Sequence, residues 1–215
     1  MSQYGTCTIR FMPSVTRPSR NRPKREEIVR RLVEAVENEL GAGTSYTELS
    51  VLRIAEQAQI ARSTFYLHFP DKSRLLIAVA EEALQGLFDA AAQWWAADHS
   101  DGQAGVEQAM TSMLRVYRAH PRVLRALAEV SYYDDEVSAY WLGKLGAFVA
   151  TEQQRLEQEQ RAGTVSAEMD CANTARLLAS MVERTISLHC AATGPEADPP
   201  MAKALARSIW LTVYG

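Results

Sequence analysis

The chain has 215 residues, 47% of them hydrophobic and 23% charged, with a formal net charge of −3. That length suits one domain of good size or a small domain joined to a larger one, with ample apolar content for a core. Three widely spaced cysteines (Cys7, Cys171, Cys190) without a C-x-x-C argue against a disulfide framework or zinc site, and no apolar run approaches a signal peptide or the ~20 residues of a membrane span, so the expectation is a soluble cytoplasmic protein with no membrane partner.

Residues 1–23 are rich in Ser, Thr, Pro and Arg, lack periodicity and read as a disordered arm, with Met12 an alternative start. Six basic residues and no acidic one lie between Met1 and Arg25, a pattern open both to DNA-phosphate or minor-groove contact and to an ordinary solvated tail. A helix over Lys24 to Leu40 puts Ile28, Leu32, Ala35, Val36 and Leu40 on one face, and Gly41-Ala42-Gly43 ends it. Next, Val51, Ile54, Ala55 and Ala58 form the i, i+3, i+4, i+7 stripe of a short helix, with Ser50 as its N-cap. Gln59-Ile60 breaks the stripe. Phe65 and Phe69, one turn apart, restart it, leaving Ser63, Tyr66 and Leu67 on the outward face. Two helices this short cannot stand alone. They must pack on something and present something, which is the design of the helix-turn-helix that reads DNA.

Pro70-Asp71 closes the second short helix, Asp71 is placed to cap the next, and a long helix runs from Ser73 to about Trp95. A polar loop from His99 to Gly105 precedes helices over Val106–His120 and Pro121–Val130, the latter with proline in its tolerated first position. Longer helices follow over Val137–Arg161 and Ser166–Ala192, then a proline-rich loop from Thr193 to Pro200 and a last helix over Met201–Tyr214. There is no convincing strand and no repeat, so the fold class is all-α with roughly nine helices. Up to Arg74 the chain holds 12 basic and 8 acidic residues; beyond it, 11 and 18. A positive head on an acidic body suits DNA binding by the head alone.

No constellation for catalysis is visible: there is no G-x-S-x-G, H-E-x-x-H, P-loop, G-x-G-x-x-G or Glu-x-x-His. The expectation is therefore no enzyme, no cofactor and no metal. His120 and His189 read as structural, Asp134-Asp135-Glu136 as acids favoured at a helix N-terminus, and Glu152 to Glu159 as a solvated face.

The run from Ile54 to Phe69, followed by Lys72 and Leu75-Leu76, resembles the TetR family of one-component regulators, most specifically in its Thr-Phe-Tyr-x-His-Phe-x-x-Lys core. Phe65 to Pro70, Glu183-Arg184-Thr185 and the closing Ile209 to Gly215 are similar to the EthR branch, whose members bind elongated apolar molecules. The resemblance implies a basic arm (1–23), an N-terminal helix-turn-helix DNA-binding domain (24–74) and a C-terminal helical ligand-binding and dimerisation domain (75–215). The implied function is a repressor that binds double-stranded operator DNA as a homodimer and is released by an apolar small-molecule effector. Two departures stand out: Gln59 occupies the turn where glycine is frequent, and Ala61 stands where a Ser or Thr caps the recognition helix.

On that reading Arg62 reaches a guanine edge or a phosphate, Ser63 and Thr64 meet phosphate or base edges, and Leu67 touches a thymine methyl, while Tyr66, His68 and Lys72 position the DNA backbone. The last two helices would pair with their copies through Ala175, Leu178, Met181, Ala202, Leu205 and Ile209. The effector pocket would be lined by Met110, Met113, Leu114, Tyr117, Trp141, Leu145, Phe148 and Trp210, residues that otherwise read as ordinary core. Glu183 and Arg184 read as an interhelical ion pair or as a polar handle in that pocket. The competing class is a helical ligand-binding or scaffold protein whose head no longer binds DNA.

Overall fold

The computed structural model describes residues 22–96 and 101–215; residues 1–21 of the expected arm, and His99, lie outside them. Among the described residues there are nine α-helices, one 3₁₀ turn and no strand, and no helix is long and apolar enough to cross a membrane. The helices are α1 (Arg22–Gly41), α2 (Val51–Gln57), α3 (Arg62–His68), α4 (Lys72–Ala96), α5 (Gln103–Ala119), α6 (Pro121–Val130), α7 (Asp135–Ala162), α8 (Cys171–Ala192) and α9 (Asp198–Tyr214).

The head is α1 to α3 closed by the first turns of α4. Leu32 and Val36 of α1, Ile54 of α2, Phe65 of α3 and Leu75 and Leu76 of α4 are all fully buried together. The local caps are as the sequence suggests: Ser50 Oγ accepts from the Arg53 amide at 3.2 Å, and Asp71 Oδ1 accepts from the Arg74 amide at 2.8 Å. Between α2 and α3 the chain turns through Gln59, whose φ of 53° is the one positive value among the described non-glycine residues. The Ile60 amide reaches back to the Ala55 carbonyl at 2.9 Å, and Arg31 Nη2 donates to the Gln59 carbonyl at 3.2 Å, so the left-handed turn is fixed from both sides. Ala61 provides no side-chain cap for α3.

In the body, α5 packs between α4 and α9, α7 packs on α8, and α6 lies across α4. Head and body are joined by polar contacts as well as by the continuous α4. Arg122, in the first turn of α6, donates to the Leu40 and Gly41 carbonyls at the C-terminus of α1. Ser73 Oγ donates to Asp134 at 2.5 Å, and Arg74 pairs with Glu136. Asp134 also caps α7, accepting from the Glu136 and Val137 amides at 3.1 and 3.0 Å. Its pKa is lowered, by the Ser73 bond first and the Val137 amide second.

Several sequence-based boundaries and faces need correction. Helix α1 begins at Arg22, because Pro23 falls in its first turn, where no amide is needed. Helix α8 begins at Cys171 rather than Ser166, since Asp170 caps it by accepting from the Asn173 amide at 3.0 Å. The stretch before it is held as a loop by Gln160 Nε2, which donates to the Ser166 and Met169 carbonyls at 2.9 Å each. Helix α9 begins at Asp198, with Pro199 and Pro200 inside its first turn, so much of the expected proline loop is helix. Glu152 and Glu159 are buried, not solvated, and Tyr214 Oη donates to Glu159 at 2.6 Å.

A polar knot joins α5, α8 and α9. Arg118 holds Asp198 in a fork of 2.7 and 2.6 Å and also donates to the Thr193 and Gly194 carbonyls at 3.0 and 2.9 Å. Buried His189 places Nε2 2.9 Å from the same carboxylate. Arg118 first, then His189, holds the Asp198 pKa below the usual carboxylate range.

The turn and the knot can each be tested by substitution. A non-glycine residue in the left-handed region carries a cost of roughly 1–2 kcal/mol, so Gln59→Gly should raise thermal stability of the head, net of added unfolded-state entropy, by about 0.5–1 kcal/mol; an unchanged or lower melting temperature would contradict the strain. Asp198→Asn removes charge-assisted bonds and should destabilise the protein by roughly 2 kcal/mol at neutral pH. Because the folded-state pKa of Asp198 is depressed, its contribution is present above the unfolded value and lost as pH falls through the folded one. The gap between wild type and variant in urea unfolding should therefore shrink as the pH drops below about 4.

Candidate DNA-reading face and ligand cavity

The outer face of α3 carries Arg62, Ser63, Tyr66 and Leu67, with Leu67 81% exposed and Phe65, beneath it, 0%. Leu67 thus leaves apolar area on the outer face of a helix that Phe65 anchors from beneath. Arg62 lies over the Tyr66 ring at 5.6 Å, with Nη2 3.4 Å from the Tyr66 oxygen, so the two outward side chains are arranged as a pair. Tyr66 in turn meets Phe65 edge to face at 5.3 Å. Thr64 and His68 are half-buried, and His68 Nδ1 is buried without a hydrogen-bond partner among the described residues. These two lie at the margin of the face.

Lys72 is placed differently from the sequence expectation. Its Nζ donates to the carbonyls of Tyr46, Thr47 and Leu49 at 3.2, 3.1 and 3.2 Å, while the Tyr46 hydroxyl donates back to the Lys72 carbonyl. An ammonium has three donors, and here each has an acceptor inside the protein. Burial lowers the Lys72 pKa. The residue clamps the loop before α2 to the start of α4, which is a different task from meeting a phosphate.

Beneath the head, the body encloses a cavity of about 90 Å³. A single water needs about 10–15 Å³ on a comparable measure, so the space exceeds a packing defect. Met110, Met113 and Tyr117 of α5 and Trp141, Leu145 and Phe148 of α7 line it, as the sequence suggests. Leu114 and Trp210 do not: Leu114 is buried in the core elsewhere, and Trp210 stacks on Tyr214 with ring centroids 4.3 Å apart. The sequence reading misses the wall supplied by Leu84, Leu87, Phe88 and Ala91 of α4 and by Leu178, Val182, Glu183 and Ile186 of α8. The α4 set has the i, i+3, i+4, i+7 spacing that marks a buried face, which is the available signal. Phe88 and Phe148 pack across the space at 5.4 Å.

Glu183 stands on the cavity wall, and no ion pair joins it to Arg184 among the described residues. Adjacent helical residues point about 100° apart, and Arg184 is exposed. Burial raises the Glu183 pKa, with Arg184 opposing the shift. Tyr117 Oη donates to Ser187 Oγ at 3.0 Å, so that phenol is already engaged.

The Lys72 clamp generates a test. Lys72→Met keeps the stem but strands carbonyls that have lost their donor, at roughly 1–3 kcal/mol for an unsatisfied buried group. The head should melt earlier by that amount in hydrogen exchange or urea unfolding. A variant of wild-type stability would show that water replaces the ammonium without cost.

The chain matches the family model described as the C-terminal domain of the transcriptional regulator EthR over residues 106–215, just over half its length. Residues 39–79 match the model of bacterial regulatory proteins of the tetR family. The chain is 26% identical over 174 residues, 79% of each chain, to the HTH-type transcriptional regulator EthR of Mycolicibacterium smegmatis. Among solved structures it is similar to the TetR family regulator PfmR of Thermus thermophilus (TM-score 0.64, 20% identity, 84% of this chain and 94% of that one). It is also similar to the fatty acid degradation regulator FadR of Bacillus halodurans (TM-score 0.67, 17% identity, 87% and 95%). With an exposed-face helix-turn-helix in front and an EthR-type helical body behind, the chain belongs to the TetR family of transcriptional regulators.

Proposed function

We propose that the protein is a repressor that binds a palindromic operator as a homodimer and is released when an apolar small molecule enters the cavity. The observation that carries this reading is the position of α4. Its first turns, with Leu75 and Leu76, complete the core of the head, and its later turns, with Leu84, Leu87 and Phe88, form the wall of the cavity. A guest that displaces that wall acts on a helix shared with the DNA-reading unit. Helix α6 gives a second route: Leu124, Leu127 and Ala128 face the cavity, and Arg122, two residues before Leu124, holds the end of α1. A ligand shifts operator affinity by its preference for one head spacing over another, so tilting α4 or α6 is the means available.

Support for pairing through α8 and α9 comes from their outer faces; of the residues first expected, Met181 is half-buried against the core and the other five face inward. Ala175, Leu178, Ala202, Leu205 and Ile209 are buried inside the monomer and cannot meet a partner as placed. Leu177 and Leu188 of α8 and Leu211 of α9 are exposed instead. The neighbouring hydroxyls of Ser208 and Thr212 donate to carbonyls one turn back in their own helix, at 3.0 and 2.7 Å. The α9 face thus offers apolar groups whose polar neighbours are already satisfied. A two-fold pairing of this face would set two recognition helices at the spacing of successive half-sites.

On the DNA face, Arg62 takes a guanine edge or a phosphate, Ser63 and Thr64 bond phosphate or base edges, and Leu67 meets a thymine methyl. Tyr66 and His68 position the backbone. Electrophoretic shift with the DNA upstream of the chain's own coding sequence tests this. Arg62→Ala should weaken specific binding by roughly 1–3 kcal/mol. Leu67→Ala should reduce the preference for the operator over a substituted site while leaving non-specific binding as it was. A protein that shifts no fragment in preference to random DNA would return the chain to the scaffold class.

A further inference from the structure

The cavity is apolar but not neutral. Of the described side chains that line it, the carboxylic acids are Glu152 and Glu183, and no Lys, Arg or His is among them. Glu183 projects from the middle of α8, is half-buried, and has no hydrogen bond or ion pair among the described residues. Arg184, the neighbouring charge, is exposed on the adjacent face of the helix. A carboxylate in an apolar wall is costly unless something of opposite charge joins it, and burial already pushes the Glu183 pKa up.

The remaining wall chemistry points the same way. Phe88 and Phe148 pack with centroids 5.4 Å apart, and Tyr117 and Trp141 share the lining. Aromatic faces carry negative electrostatic potential and attract cations, an interaction that strengthens where water is excluded. A guest ending in a carboxylate would be repelled by Glu183. A neutral guest would desolvate that acid further with no compensating charge. A protonated amine gains from both the acid and the rings, while an alkyl body fills the rest of the space.

Resting on the reading that this cavity receives the effector, we propose that the effector is a lipophilic cation, an apolar body with an ammonium group whose charge pairs with Glu183. Glu152, on the same wall, adds a second acidic residue to the site. On this proposal the effector class narrows from apolar molecules in general to amphiphilic amines, and fatty acids rank last among the candidates.

Three probes of equal chain length separate the possibilities: dodecylamine, dodecanol and dodecanoate, titrated calorimetrically below their micelle concentrations into the full-length protein. Dodecylamine should bind at least about tenfold more tightly than dodecanol, a difference of roughly 1.4 kcal/mol, with dodecanoate weakest. Glu183→Gln should bring dodecylamine to the dodecanol level while dodecanol affinity stays within about twofold. If this variant does not fold, the wild-type ranking of the three probes decides alone. Equal binding of all three probes, or an amine preference that survives Glu183→Gln, overturns the assignment. Operator release is read in parallel by mobility shift. Amine preference without release upholds the ligand class and removes the release reading. Release by all three probes alike does the reverse, and no binding of any probe removes both.

Discussion

A helix of seven residues closes too few backbone hydrogen bonds to be stable by itself, and the helix that presents Arg62, Tyr66 and Leu67 has that length. Its orientation is therefore set by what lies beneath it. Phe65 is wholly buried in the core it shares with residues of α1, α2 and α4, and Phe69 follows one turn later. The preceding turn is held by the Ile60 amide and by Arg31, and the loop that leads into α2 is clamped by Lys72. The reading face is thus a consequence of the head core. A change that loosens the core moves the face even when no exposed residue is altered.

That core is shared with the body. Helix α4 has 25 residues, about 37 Å at the usual rise, and it belongs to both units. It is not the only connection. Arg122 occupies the carbonyls left open at the end of α1, where a helix has no partners of its own. Ser73 and Arg74, at the start of α4, are tied to Asp134 and Glu136 at the start of α7. The sequence Asp134-Asp135-Glu136 therefore combines a helix cap with a latch on the head. Motion of α6 relative to α4 has to stretch or carry these contacts. The cavity is bordered by both of these helices, the two elements that hold the head.

Much of this is legible in the sequence where local rules dominate. The spacing of Phe65 and Phe69 separates inner from outer residues on α3, and Ser50 and Asp71 announce helix starts because capping depends only on the next few amides. The failures are of another kind. Lys72 looks like a surface cation in sequence, since nothing in its neighbourhood along the chain announces three carbonyls some 23 to 26 residues earlier. Leu114 and Trp210 look like cavity residues because stripe membership shows that a residue is buried but not against what. The Glu- and Gln-rich half of α7 looks solvated by composition, yet Glu152 and Glu159 face inward, and only the tertiary placement of α8 and α9 decides that. The start of α9 is hidden because prolines read as breakers, although two of them sit where a first turn accepts them.

The same difference between burial and its direction explains α8. Leu178 faces the cavity and is 4% exposed, whereas Leu177, one residue earlier, is 68% exposed. A helix turns about 100° per residue, so the neighbours sample separate faces, and both are apolar. Leu188 lies eleven residues after Leu177, close to three full turns, and continues the outer stripe. A helix that is apolar on two sides is suited to burial on two sides. The monomer buries one of them. The other, continued by Leu211 on α9, is an unmet demand for cover, and an isologous contact with a second copy meets it with no new chemistry, since each outer face finds its own equivalent. The inner stripe lines the cavity and the outer stripe is the face on which the proposed pairing rests, so Glu183, between Val182 and Arg184, stands on a helix that serves both.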